Sequence, residues 1–169
     1  ALIVKKPFTI LFGLLLIMTT SGIADANLIT NGSFEGDVDV GSFVTLDNGS
    51  TLINGWTVSG SIDWIGSYWQ ASEGLKSIDL AGNFAGTIVG TEFATTAGHT
   101  YLVEFDMAGN PDQAYDKALL AATVGLEDHV FSFEQAGNTR SVMGWETKSF
   151  TFVAAGDYTQ LSFGNIAQP

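Results

Sequence analysis

Apolar and polar residues alternate at every second position in several short segments of this chain. The segments "TYLVEFDMAG", "HVFSFEQ", "KSFTFVA" and "YTQLSFGNI" all show this period of two, which is typical of β-strands that bury one face. In the first segment Val103 and Phe105 share one side of the strand, whereas Glu104 and Asp106 share the other. We expect the side with the two carboxylates to face solvent. The pattern predicts a series of antiparallel strands.

Turn residues separate these segments at short intervals. Pairs such as Asn31-Gly32, Asn54-Gly55 and Gly137-Asn138 accept the backbone conformations that tight turns require. The segment "YDKALLAATVG" is compatible with a helix, but its alternating apolar residues and the glycine at its end favour a strand. Many short strands with frequent turns predict an all-β fold, an antiparallel β-sandwich or jelly roll that forms one domain over residues 27–169.

The first 26 residues have the features of a signal peptide. Lys5 and Lys6 precede the apolar run Phe8–Met18, and the small residues Ala24 and Ala26 fit a cleavage site. The apolar run is shorter than the roughly 20 residues that a membrane-spanning helix needs. We therefore expect a signal-peptide helix within residues 1–26, a secreted mature chain, and no membrane span in residues 27–169. A short N-terminal anchor is the alternative interpretation.

The composition limits what the exported domain can bind. The chain has 18 acidic and 6 basic residues, a net charge of −12, and no cysteine. Without disulfides the domain must be stabilised by packing, with or without a metal ion. So much negative charge disfavours contact with nucleic acid and anionic lipid. Neutral polysaccharides and Ca²⁺ are compatible with it.

Several motifs of this chain resemble a known family. They are "NGSFE" at 31–35, Gly55-Trp56, "GLKSIDL" at 74–80 and "FATTAGHTY" at 93–101. These motifs are similar to the bacterial choice-of-anchor C family, which is related to the plant cell-wall family called domain of unknown function 642. The resemblance runs from Asn27 to about Phe163. It implies a galactose-binding-like jelly roll with a role outside the cell or at the cell surface, and it implies no catalytic residues.

The C-terminal end departs from that family pattern. Members of the family continue past the equivalent of Phe163 into a closing strand, and often into an anchor segment, whereas this sequence ends in "GNIAQP". Two interpretations are open: the sequence is a fragment of a longer chain, or the domain lacks its closing strand and any anchor. A missing strand leaves an unpaired sheet edge, at which another chain can pair. Self-association through this edge, giving a structural or adhesive extracellular fibre or matrix, is the alternative to ligand binding.

The loop "GSYWQASEG", residues 66–74, is the predicted binding site for a polysaccharide or cell-surface glycan, together with two residues of the strand before it. Aromatic rings stack on the apolar face of a sugar, and neighbouring polar side chains hydrogen-bond to its hydroxyl groups. The predicted ligand-binding residues are Trp64, Tyr68, Trp69, Asp63 and Gln70. Large aromatic residues also build protein cores. A core position is the alternative for these rings and the preferred interpretation for Trp56.

Catalytic chemistry is only weakly indicated. A glycosidase needs two carboxyl groups about 5–9 Å apart, but the chain has many carboxylates, Glu73 and Asp79 among them, and nothing marks one pair as special. Residues 77–80, which include Asp79, have the pattern of a structural strand. His99 and His129 are the only histidines and form no zinc motif. We expect a non-enzymatic module, with a small glycoside hydrolase as the less favoured alternative.

A structural calcium ion is implied by the family resemblance alone. Modules with this fold often hold Ca²⁺ near the first strand, which would make Glu35 a ligand, with the carbonyl groups around Asp37 as helpers. The alternative is that Glu35 is a hydrogen-bonded structural residue at a strand end. No cofactor is expected to be required.

Overall fold

The computed structural model describes residues 2–5, 27–113 and 117–166, and for residues 2–5 it describes the backbone. The predicted apolar run Phe8–Met18 and the cleavage site at Ala26 lie outside these residues. The strands are β1 Leu2–Lys5, β2 Phe43–Asp47, β3 Trp56–Ser59, β4 Ser61–Ile65, β5 Ser77–Asp79, β6 Thr87–Gly90, β7 Phe93–Ala94, β8 Thr100–Met107, β9 Lys117–Val124, β10 Glu127–Glu134, β11 Glu146–Val153, β12 Tyr158–Thr159 and β13 Leu161–Asn165. In this part of the chain there is no helix that could cross a membrane.

Two antiparallel sheets form a sandwich. One sheet has six strands in the order β11-β8-β1-β5-β4-β2, and the other has five in the order β10-β9-β13-β6-β3. A short pair, β12 and β7, completes the described strands. The segment that was compatible with either a helix or a strand forms β9, which pairs with β10 on one side and β13 on the other. The predicted all-β, antiparallel sandwich is therefore confirmed.

The core lies between the two sheets and is rich in aromatic rings. Phe105 of β8 contacts Phe131 of β10 and Phe163 of β13, with ring centroids 5.0 and 5.1 Å apart. Trp56 packs on the same Phe163 and is 2% exposed, which confirms its predicted core position. Each such side chain contributes about 1.5–3 kcal/mol when it is fully buried. Packing between the sheets is thus the main source of stability.

The outer face of β8 differs from the prediction at one residue. Asp106 was expected to face solvent, but it is only 2% exposed. The hydroxyl groups of Ser72 and Thr147 donate hydrogen bonds to its carboxylate. A buried carboxylate is tolerated when hydrogen bonds replace its contacts with water. The loop that contains Ser72 therefore covers this part of the sheet.

The motif "NGSFE" is explained by the contacts of Asn31. Its side-chain oxygen accepts a 2.9 Å hydrogen bond from the backbone N–H of Glu35, and its side-chain amide donates to the backbone oxygens of Glu35 and Asn54. The indole N–H of Trp56 donates to the carbonyl of Asn31. Phe34 is fully buried at the centre of this turn. The motif therefore holds residues 31–35 against the core of the domain.

Strand β1 occupies an internal position in the six-stranded sheet. It pairs with β8 at four positions, from Leu2 opposite Met107 to Lys5 opposite Glu104. On its other side Leu2 is opposite Ile78 of β5. Strands β5 and β8 are not neighbours in the sheet, because β1 lies between them. Residues that belong to the predicted signal peptide thus form a central strand.

Candidate functional site

Two of the predicted sugar-binding residues are core residues. Trp64 is fully buried, and its indole N–H donates a 2.9 Å hydrogen bond to the carbonyl of Phe34. Trp69 is 4% exposed, and its indole N–H donates a 2.9 Å hydrogen bond to the hydroxyl of Ser77. Stacking on a sugar needs an exposed ring face. The burial of both rings therefore does not support the stacking role predicted for them.

Tyr68 lies at the surface in a polar cluster. The guanidinium of Arg140 is 3.9 Å from the centre of the Tyr68 ring, and it also donates a 2.6 Å hydrogen bond to the Tyr68 hydroxyl. Asp112 accepts a 2.9 Å hydrogen bond from the same guanidinium. This bond lowers the pKa of Asp112. One face of the predicted stacking ring is thus already in contact with a protein cation.

The two polar residues of the predicted site differ in their surroundings. Gln70 is exposed beside this cluster, and its backbone oxygen accepts a 3.0 Å hydrogen bond from the indole of Trp145. Asp63 is half-buried within β4, where it accepts a 2.6 Å hydrogen bond from the hydroxyl of Thr45. Of the five predicted ligand-binding residues, Gln70 is exposed and Tyr68 is half-buried at the surface. Their roles in ligand binding remain predictions.

A second candidate site is an open cleft of about 390 Å³. It lies where the ends of β5 and β8 meet the start of β9 and the end of β13. The polar and aromatic side chains that line it are Asp79, Asn83, Phe84, Asn110, Gln113, Lys117 and Asn165. The cleft thus combines one aromatic ring and several amide groups with two ionisable side chains, and apolar residues such as Met107 and Leu119 complete its lining.

Asp79 is the buried acid of this cleft. Its carboxylate accepts a 2.9 Å hydrogen bond from the side-chain amide of Asn110 and a 3.1 Å hydrogen bond from the backbone N–H of Ala81. Burial raises the pKa of Asp79 above its ordinary value, and the carboxylate of Asp63 acts in the same direction. Asp63 lies directly opposite Asp79 on the neighbouring strand. Each oxygen of the Asp79 carboxylate thus accepts one hydrogen bond within the protein, and a carboxylate oxygen can accept a second one.

Phe84 supplies the aromatic surface of the cleft and is 60% exposed. It lies in the loop between β5 and β6, which folds closely against the start of β4. A Cβ atom at Gly86 or Gly82 would collide with Ser61, and the hydroxyl of Ser61 accepts a hydrogen bond from the backbone N–H of Asn83. The two glycines therefore allow the loop to pack on β4 while the ring of Phe84 points outward.

The loop of residues 109–113 connects the cleft with the Tyr68 cluster. Its residue Asn110 binds Asp79, and the side-chain oxygen of Asn110 accepts a 2.9 Å hydrogen bond from the backbone N–H of Asp112. Asp112 in turn binds Arg140 beside Tyr68. The two candidate surfaces are therefore linked by one hydrogen-bonded chain.

No pattern in the sequence predicts the cleft as a site. Asp79 lies in a strand as predicted, but Phe84, Asn110 and Gln113 are not among the predicted site residues. The signals that point to them are an aromatic residue within the glycine-rich turn "AGNFAG" and the polar turn "GNPDQ". Exposed loop residues of these types often carry function on a rigid scaffold.

The predicted calcium ligands do not form a cluster of carboxylates. One oxygen of Glu35 accepts hydrogen bonds from the backbone N–H groups of Leu75 and Lys76, at 2.8 and 3.0 Å. Asp37 is exposed. Among the residues that the structure describes, no group of three or more His, Cys, Asp or Glu side chains could hold a metal ion. Glu35 has the structural contacts that its alternative interpretation requires.

Comparison with known proteins identifies the family. The model of the family described as "Protein of unknown function (DUF642)" matches residues 27–169. The chain belongs to this family. A relative is halomucin of Haloquadratum walsbyi, which is 32% identical over 167 residues. That match covers 89% of this chain and 2% of halomucin, so the chain spans a small part of the length of this relative.

Proposed function

We propose that this DUF642 chain is an extracellular or cell-surface module that binds polysaccharide without catalysing a reaction. The observation that carries the proposal is the open cleft in which the exposed ring of Phe84 accompanies the carboxylate of Asp79 and the amide of Asn110. A galactose-binding-like jelly roll of the choice-of-anchor C type, the finer assignment from the sequence motifs, is part of the same proposal.

The chemistry of the cleft supports a neutral carbohydrate ligand. An aromatic face and a small number of placed polar groups are the usual components of a site for a small polar ligand. The net charge of −12 would repel anionic polymers at low ionic strength, which favours uncharged glycans. A shallow site of this kind binds weakly, because little area is buried against the entropy lost on association.

Location outside the cell is supported by one prediction from the sequence and one comparison. The chain begins with a predicted signal peptide, and it is similar to a protein named halomucin. Membership of the DUF642 family is compatible with the same location, since the plant relatives are associated with cell-wall polysaccharides. None of these observations depends on the cleft, so location and ligand binding can be tested separately.

The test is a glycan array with pull-down on insoluble polysaccharides, carried out with the 169-residue chain. The variant Phe84→Ala should weaken binding about tenfold, which corresponds to ~1.4 kcal/mol. Tyr158→Ala is the matched control, because Tyr158 is an aromatic residue that is 70% exposed and does not line the cleft.

The variant Tyr68→Ala separates the two candidate surfaces. Loss of binding in Tyr68→Ala with normal binding in Phe84→Ala would place the glycan at the Tyr68 cluster. Absence of binding to every glycan, or equal binding by wild type and both variants, would contradict the proposal. Release of reducing sugar from a bound polysaccharide would instead favour the glycoside hydrolase alternative.

A second candidate function is assembly by strand exchange. The specific observation is that β1, which lies between β5 and β8, consists of residues of the predicted signal peptide. If the leader is removed, the backbone groups of both strands lose their partner, and a strand from another chain can replace it. The module would then be a structural subunit of an extracellular fibre or matrix.

A further inference from the structure

Lys76 is a buried cation that contacts backbone oxygens. It lies just before β5 and is 8% exposed. Its ammonium donates hydrogen bonds to the carbonyl oxygens of Gly36 and Val38, the latter at 2.8 Å. The same ammonium lies 4.4 Å from the centre of the buried Trp64 ring. Two carbonyl groups and an aromatic face therefore compensate for its removal from water.

Glu35 makes the reciprocal contact. Its carboxylate extends from the chain segment of residues 35–39 to the backbone N–H groups of Leu75 and Lys76. The ammonium of Lys76 extends in the opposite direction, to the backbone of the segment that contains Glu35. Each of the two side chains thus binds the backbone of the other's segment. We call this arrangement the Glu35–Lys76 clasp.

The clasp fills the position at which the family resemblance implies a calcium ion. Ca²⁺ requires six to eight oxygen ligands. Here the carbonyl oxygens of Gly36 and Val38 already accept hydrogen bonds from an ammonium, and one side of the position is the indole of Trp64 rather than an oxygen donor. One oxygen of Glu35 is engaged by two amides. These residues do not fit a calcium site.

We propose that the ammonium of Lys76 takes the place of a structural metal ion, so that the segment 36–39 is held by the protein's own cation. The chain then continues into Gly41 and Ser42, whose carbonyl oxygens accept backbone hydrogen bonds from Ser67 and Tyr68. The clasp therefore also supports the loop that carries Tyr68. Stability of the domain is independent of calcium.

The test compares the thermal unfolding of wild type with that of Lys76→Met, which keeps the side-chain stem and removes the ammonium. Each protein is measured in EDTA and in CaCl₂. Wild type should show the same Tm in both, whereas Lys76→Met should lower the Tm by about 5 °C or more. Lys148→Met is the control, because it removes an ammonium whose partner is the exposed carboxylate of Glu146, and an ion pair that stays in contact with water contributes little.

Two results would overturn the proposal. One is a Tm of wild type that rises in CaCl₂, together with calcium retained after dialysis and detected by elemental analysis, because a ligand that binds the folded state stabilises it. The other is a Lys76→Met variant as stable as Lys148→Met. The calcium measurement on wild type decides the question even if Lys76→Met fails to fold.

Discussion

The side-chain amide of Asn110 donates a 2.9 Å hydrogen bond to the carboxylate of Asp79, a residue 31 positions earlier in the chain. The bond joins the end of β5 to the loop after β8. It holds an amide and a buried carboxylate side by side at the surface of the cleft that Phe84 also lines. Asp79 and Asn110 therefore have two roles: their hydrogen bond stabilises the fold, and both residues belong to the proposed ligand-binding site.

Asp79 should make the domain more stable in acid than at neutral pH. Burial raises its folded-state pKa above the ordinary value of 3.8, so the folded state binds more protons than the unfolded state between the two pKa values. This contribution is fully present below the unfolded pKa and is lost as the pH rises through the folded pKa. Asp79→Asn should therefore be more stable than wild type at pH 7, and the difference should shrink towards pH 4. Urea unfolding of wild type and Asp79→Asn at pH 7 and at pH 4 measures this difference in the free energy of unfolding.

Asp112→Asn is the control for that experiment, because the pKa of Asp112 is lowered in the folded state whereas that of Asp79 is raised. The two substitutions should therefore change the pH dependence of stability in opposite directions. The hydrogen bond from Arg140 lowers the pKa of Asp112, so its small contribution is present above its unfolded pKa and is lost in acid. Its exposure keeps this contribution small. An Asp79→Asn variant that gains no stability over wild type at pH 7 would contradict the prediction.

Replacement of Trp69 should damage the fold more than replacement of Tyr68. Trp69→Ala removes a buried indole and its hydrogen bond to Ser77, and it should lower the free energy of unfolding by about 3–5 kcal/mol. Tyr68→Ala removes a half-buried ring and its contact with Arg140, which should cost about 1–2 kcal/mol. Denaturant unfolding followed by circular dichroism measures both. Equal losses would place Trp69 outside the core.

Gly86 should not tolerate a side chain. A Cβ atom at this position would collide with the backbone oxygen of Ser61 and with Ile62. Gly86→Ala should therefore lower the free energy of unfolding by about 1–3 kcal/mol and displace the loop that presents Phe84. Gly156→Ala is the control, because a Cβ atom there meets no neighbour within 4 Å. Similar stabilities of the two variants would show that the loop does not pack on β4 in this way.

Removal of the leader should change self-association if the strand-exchange function is correct. A chain of residues 27–169 lacks β1 and leaves β5 and β8 without the partner that now lies between them. We expect this chain to form ladders or fibres in size-exclusion chromatography, while the 169-residue chain stays monomeric. Both are compared at equal concentration and at high salt, which screens the negative charge. A shorter chain that stays monomeric would rule out assembly at this edge.

Local patterns in the sequence predicted the strands well. The alternation of Val103 and Phe105 with polar neighbours identified β8, and the same period identified β9 despite its helix-compatible composition. This works because successive side chains of a strand point to opposite faces, so a half-buried strand shows its period directly. The local pattern did not predict the burial of Asp106, because Ser72 and Thr147, which bind it, are distant in sequence.

The sequence by itself determined that this is an acidic all-β domain with a signal-peptide-like start and the motifs of its family. Only the tertiary structure decided which aromatic rings are accessible. Trp64 and Trp69 pack into the core, and their burial leaves no indole N–H unsatisfied because the carbonyl of Phe34 and the hydroxyl of Ser77 accept these groups. Phe84 is exposed on a glycine-rich loop that packs on β4. The cleft likewise requires β5 and the loop after β8 to meet. Such contacts join residues far apart in the chain, and no local pattern records them.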